Sequence, residues 1–255
     1  MAGSVMSKSP HSKSLAVAGG RLAGRVVRVG ELDPLEREQM HGLLCDYFAN
    51  TSRERFATDL MEIEWVVLLS DGDGKLRGFS TLMRLEGVAA GEAYVAFFSG
   101  DTIVHRDFQR EMILPRLWGR HVFALAEQVR DRRVWWFLIS SGYTTYRFLP
   151  VFFRTFYPAF DRPFTGEARA LLDDVAGRKF PREYDPAAGV IRLLQPSPVR
   201  PGVAELTPER LRDPHVSFFA AANPGWRNGE ELACLAEICR ANLTPAGARM
   251  LREDA

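Results

Sequence analysis

The chain has 255 residues, enough to bury a large core as one domain or as a domain with an extension. With 46% hydrophobic residues, 25% charged residues and a net charge of +1, it has the make-up of an ordinary globular protein. The lack of a basic excess argues against a nucleic-acid binder driven by phosphate contacts, and no apolar run approaches the roughly 20 residues that span a bilayer.

The first thirty residues carry Lys8, Lys13, Arg21, Arg25 and Arg28 and no acid. A transit or lipid-surface segment has similar features, but the simpler reading is a flexible tail over residues 1–24 that becomes a first strand at Gly24–Val29. Asp33-Pro34 is a helix opening, with Asp as N-cap and Pro at the first helical position. Leu35, Met40, Leu43, Leu44, Tyr47 and Phe48 then recur at helical spacing, and a second helix with Phe56, Leu60 and Ile63 follows Asn50-Thr51-Ser52.

Trp65–Ser70 reads as a buried strand, turned back by Asp71-Gly-Asp-Gly into a returning strand, Leu76–Leu85. Gly78 inside it marks a bulge or a close backbone approach. A loop at Gly87–Glu92 leads to a long strand, Ala93–Val104, closed by an acid and a histidine, Asp101 and His105. After the polar connection His105–Glu111 come a helix at Pro115–Val129 and a strand at Arg133–Ser140 with no alternation, hence buried on both faces. Tyr143–Tyr157 reads as an aromatic helix kinked at, or starting from, Pro150.

Downstream lie a helix at Glu167–Val175, a strand at Val190–Leu194 and a Pro-rich connection at Gln195–Gly202. Helices are expected at Pro208–Leu211, Pro214–Ala222 and Glu230–Asn242. Cys45, Cys234 and Cys239 are odd in number and lack metal-ligand spacing, so reduced structural thiols in a cytoplasmic protein are expected, with no metal.

The order of Trp65-Val-Val-Leu-Leu-Ser-Asp-Gly-Asp-Gly-Lys-Leu-Arg-Gly-Phe-Ser-Thr-Leu, of Ile103-Val-His-Arg-Asp-Phe before a helix, and of the strand and helix from Val134 to Phe156 resembles the GCN5-related N-acetyltransferase (GNAT) superfamily over about Val29 to Pro158. The resemblance implies an α/β (α+β) fold with a mixed, mostly antiparallel sheet flanked by helices. It implies an acyltransferase core at 25–165, to which residues 166–255 would add a packed extension of a strand and helices. In that family two core strands splay apart and the pantetheine arm of the donor lies between them like an added strand.

The implied reaction moves an acyl group from a thioester, acyl-CoA or the acyl-phosphopantetheine of an acyl carrier protein, to the amine of a small molecule or peptide. An amine is mostly ammonium at neutral pH, so a base must take a proton, and Asp101 or His105 stands where the family places one. Tyr143 or Tyr146 would supply the acid for the leaving thiolate. Val104, Arg106, Arg110, Arg116, Ser140 and Ser141 would hold the donor. The aromatic stripe Phe148, Phe152, Phe153 and Phe156 reads as core, or as the wall of a tunnel for a long acyl chain. One departure stands out. The family's phosphate loop carries Gln or Arg and then glycines, whereas Arg106–Pro115 has no glycine and an acidic Glu111. A carrier-bound phosphopantetheine, with a single phosphate, asks less of such a loop, and a GNAT-like module that binds without catalysing is the alternative.

Overall fold

The computed structural model describes residues 15–129 and 131–252. Two short strands, Ala16–Gly19 (β1) and Leu22–Arg28 (β2), form a hairpin that leads to Pro34–Tyr47 (α1) and Arg53–Met61 (α2). The expected tail over 1–24 is therefore corrected for residues 16–24, and its first fourteen residues lie outside the described ones. Asp33 caps α1 as its chemistry requires, accepting from the Glu36 N–H at 2.7 Å while Glu36 accepts from the Asp33 N–H at 3.1 Å.

Trp65–Asp71 (β3), Leu76–Ala89 (β4) and Glu92–Val104 (β5) form an antiparallel meander, followed by Ile113–Glu127 (α3) and Arg133–Ser140 (β6). The loop expected at Gly87–Glu92 is instead strand closed by a two-residue turn, Ala90-Gly91, with φ of 51° and 84°. Gly87 is small because Tyr94 crosses over it: a Cβ there would lie 2.5 Å from the Tyr94 hydroxyl, which donates to Asp174 at 2.6 Å. Gly78 serves a close approach, its Cβ position being 2.9 Å from the Ile103 carbonyl.

The expected aromatic helix is two short helices, Tyr143–Tyr146 (α4) and Phe148–Phe152 (α5), and then a strand, Phe156–Tyr157 (β7). Gly166–Lys179 (α6), Tyr184–Asp185 (β8), Val190–Arg192 (β9), Pro214–Ala222 (α7), Glu230–Glu237 (β10) and Pro245–Met250 (α8) complete the chain.

The helix expected at Glu230–Asn242 is overturned. β10 is a central strand between β6 and β9, with Leu232, Cys234 and Ala236 in the core on one face and Ala233 and Leu235 in the core on the other. Burial on both faces erases the alternation that marks a strand, and the Leu, Ala and Glu of this stretch favour helix until tertiary pairing overrides them. Among the described residues the strands form one sheet in the order β1-β2-β3-β4-β5-β6-β10-β9-β8, with β7 also on β10. Every pairing is antiparallel except β5 with β6. The boundary expected at residue 165 thus does not separate a core from an appendage, because the later strands extend the same sheet. Apolar residues from α1 and α2, and from α6, cover one face; α3, α4, α5, α7 and α8 supply the other.

Candidate active site

The site begins with one extra residue in β5. Ser99 pairs with Leu82 and Thr102 with Ser80, so Gly100 and Asp101 together oppose the single residue Thr81. This is a β-bulge, which bends its strand and re-aims the side chains beyond it. Phe98 packs on the α6 face, and strict alternation would send Asp101 to the opposite face with Ser99; the bulge instead returns it to the face of Phe98. Gly100 permits the crowding, since a Cβ there would lie 2.9 Å from the Thr81 hydroxyl.

The same bulge parts the parallel strands. β5 and β6 pair from Tyr94↔Arg133 to Ser99↔Leu138 and no further, although β5 runs on to Val104 and β6 to Ser140. The fork is pinned by Ser99, whose hydroxyl accepts from the indoles of Trp118 and Trp136 at 3.1 and 3.0 Å. Beyond it, the His105 N–H donates to the Arg77 carbonyl on β4 at 2.7 Å. Alternation then points the N–H groups of Thr102 and Val104 into the gap, where no strand takes them up.

The fold is similar to that of GCN5-related N-acetyltransferases. About half of the chain (52%) overlaps a probable N-acyltransferase from Enterococcus faecalis at 19% identity and TM-score 0.40, spanning 33% of that protein. A GNAT N-acetyltransferase from Escherichia coli, in complex with CoA, overlaps 52% of this chain and 69% of its own at 17% identity and TM-score 0.36. The N-myristoyltransferase of Saccharomyces cerevisiae, with bound myristoyl-CoA, overlaps 49% of this chain and 32% of its own at 14% identity and TM-score 0.38. The likeness is confined to the fold. No protein-family model and no curated protein matches the chain.

Three adjoining cavities surround the gap. One, of ≈ 180 Å³, lies on the α1, α2 and α6 face and contains Asp101 and Glu231. A second, of ≈ 300 Å³, lies along the open edge of β5 and is lined by Val104, Ser141, Tyr143 and Arg147 among others. A third, of ≈ 30 Å³, sits behind the fork between Trp118, Trp136, Phe148 and Phe152. Thr102 and Thr145 line all three, from the two sides of the gap.

Asp101 on the bulge and Glu231 at the start of β10 share the first cavity. Burial pushes the Asp101 carboxyl up to about 6, helped by the Asp59 carboxylate and opposed by Arg55. Burial likewise raises Glu231 to about 8, with Asp101 adding repulsion and Arg55 again opposing. Both carboxyls are thus held above the ordinary carboxylate range, each chiefly by burial and then by a neighbouring acid. The cations at the rim are already engaged: Arg55 lies 3.6 Å from Asp59 and donates to the Gln195 carbonyl, and Lys179 pairs with Glu62.

The other expected site residues separate clearly. Ser141 lines the two larger cavities, whereas Ser140 is wholly buried beside the Cys234 thiol and borders none of the three. Tyr143 lines the cavity of ≈ 300 Å³ along the edge of β5. Tyr146 does not: its ring is buried among Phe156, Phe218 and Phe219, and its hydroxyl donates to the Pro158 carbonyl at 2.9 Å. His105 also lies off the cavities, its Nδ1 accepting from the Asp107 N–H at 3.4 Å and its ring beside Phe108. Arg106 and Arg110 are exposed on the loop before α3, and Arg116 is half-buried in the first turn of α3. Glu111, just before α3, is 3.5 Å from Arg21 at the tip of the β1–β2 hairpin. Phe152 lines only the smallest cavity, Phe148 lines both that one and the cavity of ≈ 300 Å³, and Phe153 and Phe156 are plain core.

Sequence reasoning missed Glu231 and Thr145. The first lay in a stretch that reads as helix. The second is a threonine between two more conspicuous tyrosines.

Proposed function

We propose that the chain is an N-acyltransferase that moves an acyl group from a pantetheine thioester to an amine. The parting of β5 from β6 at Ser99, with Asp101 turned into the cavity beside the gap, carries this reading. The pantetheine arm lies along the open edge of β5, its amides bonding the backbone of Thr102 and Val104, and Ser141 faces it from the other side. The thioester carbon sits between Thr102 and Thr145, where the three cavities meet.

Asp101 takes one proton from the acceptor ammonium, and the free amine attacks the thioester carbon. The oxyanion is held by a β5 N–H, the C–S bond breaks, and the nitrogen gives its second proton to solvent. The thiolate takes up a proton, with Tyr143 as the acid on the donor side and the Thr145 hydroxyl as a hydrogen-bond donor at the junction. Tyr143→Phe is expected to lower kcat about tenfold or more without a change in unfolding temperature, read by steady-state kinetics alongside calorimetry. An unchanged kcat removes Tyr143 from the reaction.

Arg106 and Arg110 hold the donor phosphate. Glu111, tied to Arg21 beside the start of α3, puts negative charge where a pyrophosphate would approach. A donor with one phosphate, such as a carrier-bound phosphopantetheine, is therefore preferred to CoA. Replacing Arg106 and Arg110 together by Ala is expected to raise donor KM about tenfold with kcat nearly unchanged. The deciding experiment follows thiol release from acetyl-CoA, long-chain acyl-CoA and acyl-carrier protein in the presence of primary amines. Turnover with the carrier-bound donor supports the whole reading. Turnover with CoA thioesters alone removes the carrier preference. Binding of a thioester without thiol release selects a non-catalytic module, the reading that the missing glycines favour.

A further inference from the structure

We propose that the acceptor is an amphiphilic primary amine, bound with its ammonium group between Asp101 and Glu231 and its apolar body against the helices that wall the same cavity. This rests on the acyl-transfer reading and names the substrate class of that site.

The two carboxyl groups come from opposite sides of the gap, one carried by the β5 bulge and the other by the first turn-proximal residues of β10. Both are half-buried and line the cavity, and among the described residues neither has a hydrogen-bond or ion-pair partner. A partly desolvated acid without a partner is costly, and two together are costlier, unless a cation joins them. Within the chain Arg55 is the cation felt by both carboxyls, and it forms no ion pair with either. Arg55 faces Asp59 from within α2, and Lys179 at the end of α6 faces Glu62, so both rim cations are matched by acids of their own. A ligand bearing a carboxylate would add negative charge beside two acids, whereas an ammonium would offset theirs.

The rest of the wall is mixed. Hydroxyl and charged groups line part of it, and Leu44, Phe48, Phe56, Leu60, Phe98 and Phe180 give it an apolar part against which a hydrocarbon or aromatic body can lie. The two carboxyls fix the place of the ammonium, and the apolar part of the wall takes the body. The amine nitrogen then points to Asp101, beside the gap where the thioester carbon arrives.

The test uses the full chain without any donor and measures binding of hexylamine, ethylamine and hexanol by ligand-observed NMR at pH 7. Hexylamine is expected to bind at least about tenfold more tightly than either of the others. Glu231→Gln is expected to weaken hexylamine at least about tenfold while leaving hexanol unchanged. Equal binding of hexanol and hexylamine overturns the ammonium site, and equal binding of ethylamine and hexylamine overturns the apolar body. Unchanged hexylamine affinity in Glu231→Gln, confirmed with Glu231→Ala, removes Glu231. The two failures are distinguishable: preferential hexylamine binding without turnover from any thioester leaves the amine site standing and removes its role as acceptor in acyl transfer. Turnover confined to polar amines does the reverse.

Discussion

Asp101→Asn is expected to lower kcat by about 10²- to 10⁴-fold, the range that a positioned general base contributes. The amide has nearly the shape of the acid, and among the described residues Asp101 makes no hydrogen bond or ion pair whose loss would disturb the fold. The variant should therefore keep the fold and the donor KM, with an unfolding transition at neutral pH no lower than wild type, so that the loss falls on the chemical step. The pH profile supplies a sharper reading. Asp101 must be ionised to act, and its carboxyl is pushed up to about 6, so wild-type kcat/KM should fall tenfold per pH unit below that value. The acidic limb should disappear in the residual activity of the Asn variant. Glu231, Asp59, Arg55 and Lys179 face the same cavity, so the limb reports the group of charges and not one isolated acid. Wild-type turnover in Asp101→Asn would leave the parted strands without a base and remove the proposed mechanism.

The elements that build the donor side were legible in the sequence because their signals are local. Trp65–Asp71 and its Asp-Gly turn, the long strand ending at Val104, and the unalternating strand before Ser140 each declare themselves within a few residues. The bulge was not legible, since it exists only in the register of β5 against β4. That register is what turns Asp101 toward the cavity. The acceptor side was hidden for a different reason. Glu231 reaches the site through pairing of β10 with β6 and β9, strands some 90 and 40 positions earlier in the chain, and nothing near Glu231 reports that pairing. Tyr146 and His105 show the opposite error. Both have the side-chain chemistry the reaction needs, at plausible places in the order of elements. Yet one spends its hydroxyl on the Pro158 carbonyl and the other stands just past the gap at the turn into α3.

Glu231→Gln is expected to stabilise the free protein at alkaline pH and to do little in acid. The folded-state carboxyl is raised from the ordinary value of 4.5 to about 8, chiefly by burial, so between these values the folded protein holds a proton that the unfolded chain has released. Stability contributed by this group is thus fully present below about pH 4.5 and is lost as pH rises toward 8. Glutamine removes the titration while keeping a similar volume in the cavity. At pH 8 the variant should exceed wild type by roughly 2–4 kcal/mol, since each pKa unit is worth about 1.4 kcal/mol and some of the shift relaxes away. For a chain of this size that is roughly 5–10 °C in unfolding temperature, against almost no difference at pH 5. Thermal unfolding followed by circular dichroism at the two pH values checks the sign directly. A lower melting temperature for Glu231→Gln at both pH values would mean that the carboxyl is held by partners inside the protein. An amine that occupies the cavity relieves the same cost from outside, so saturating hexylamine at pH 8 should raise the wild-type transition more than that of the variant, which binds it more weakly. Residual instability of this kind is what a binding site accepts when its charges are arranged for a ligand and not for the fold.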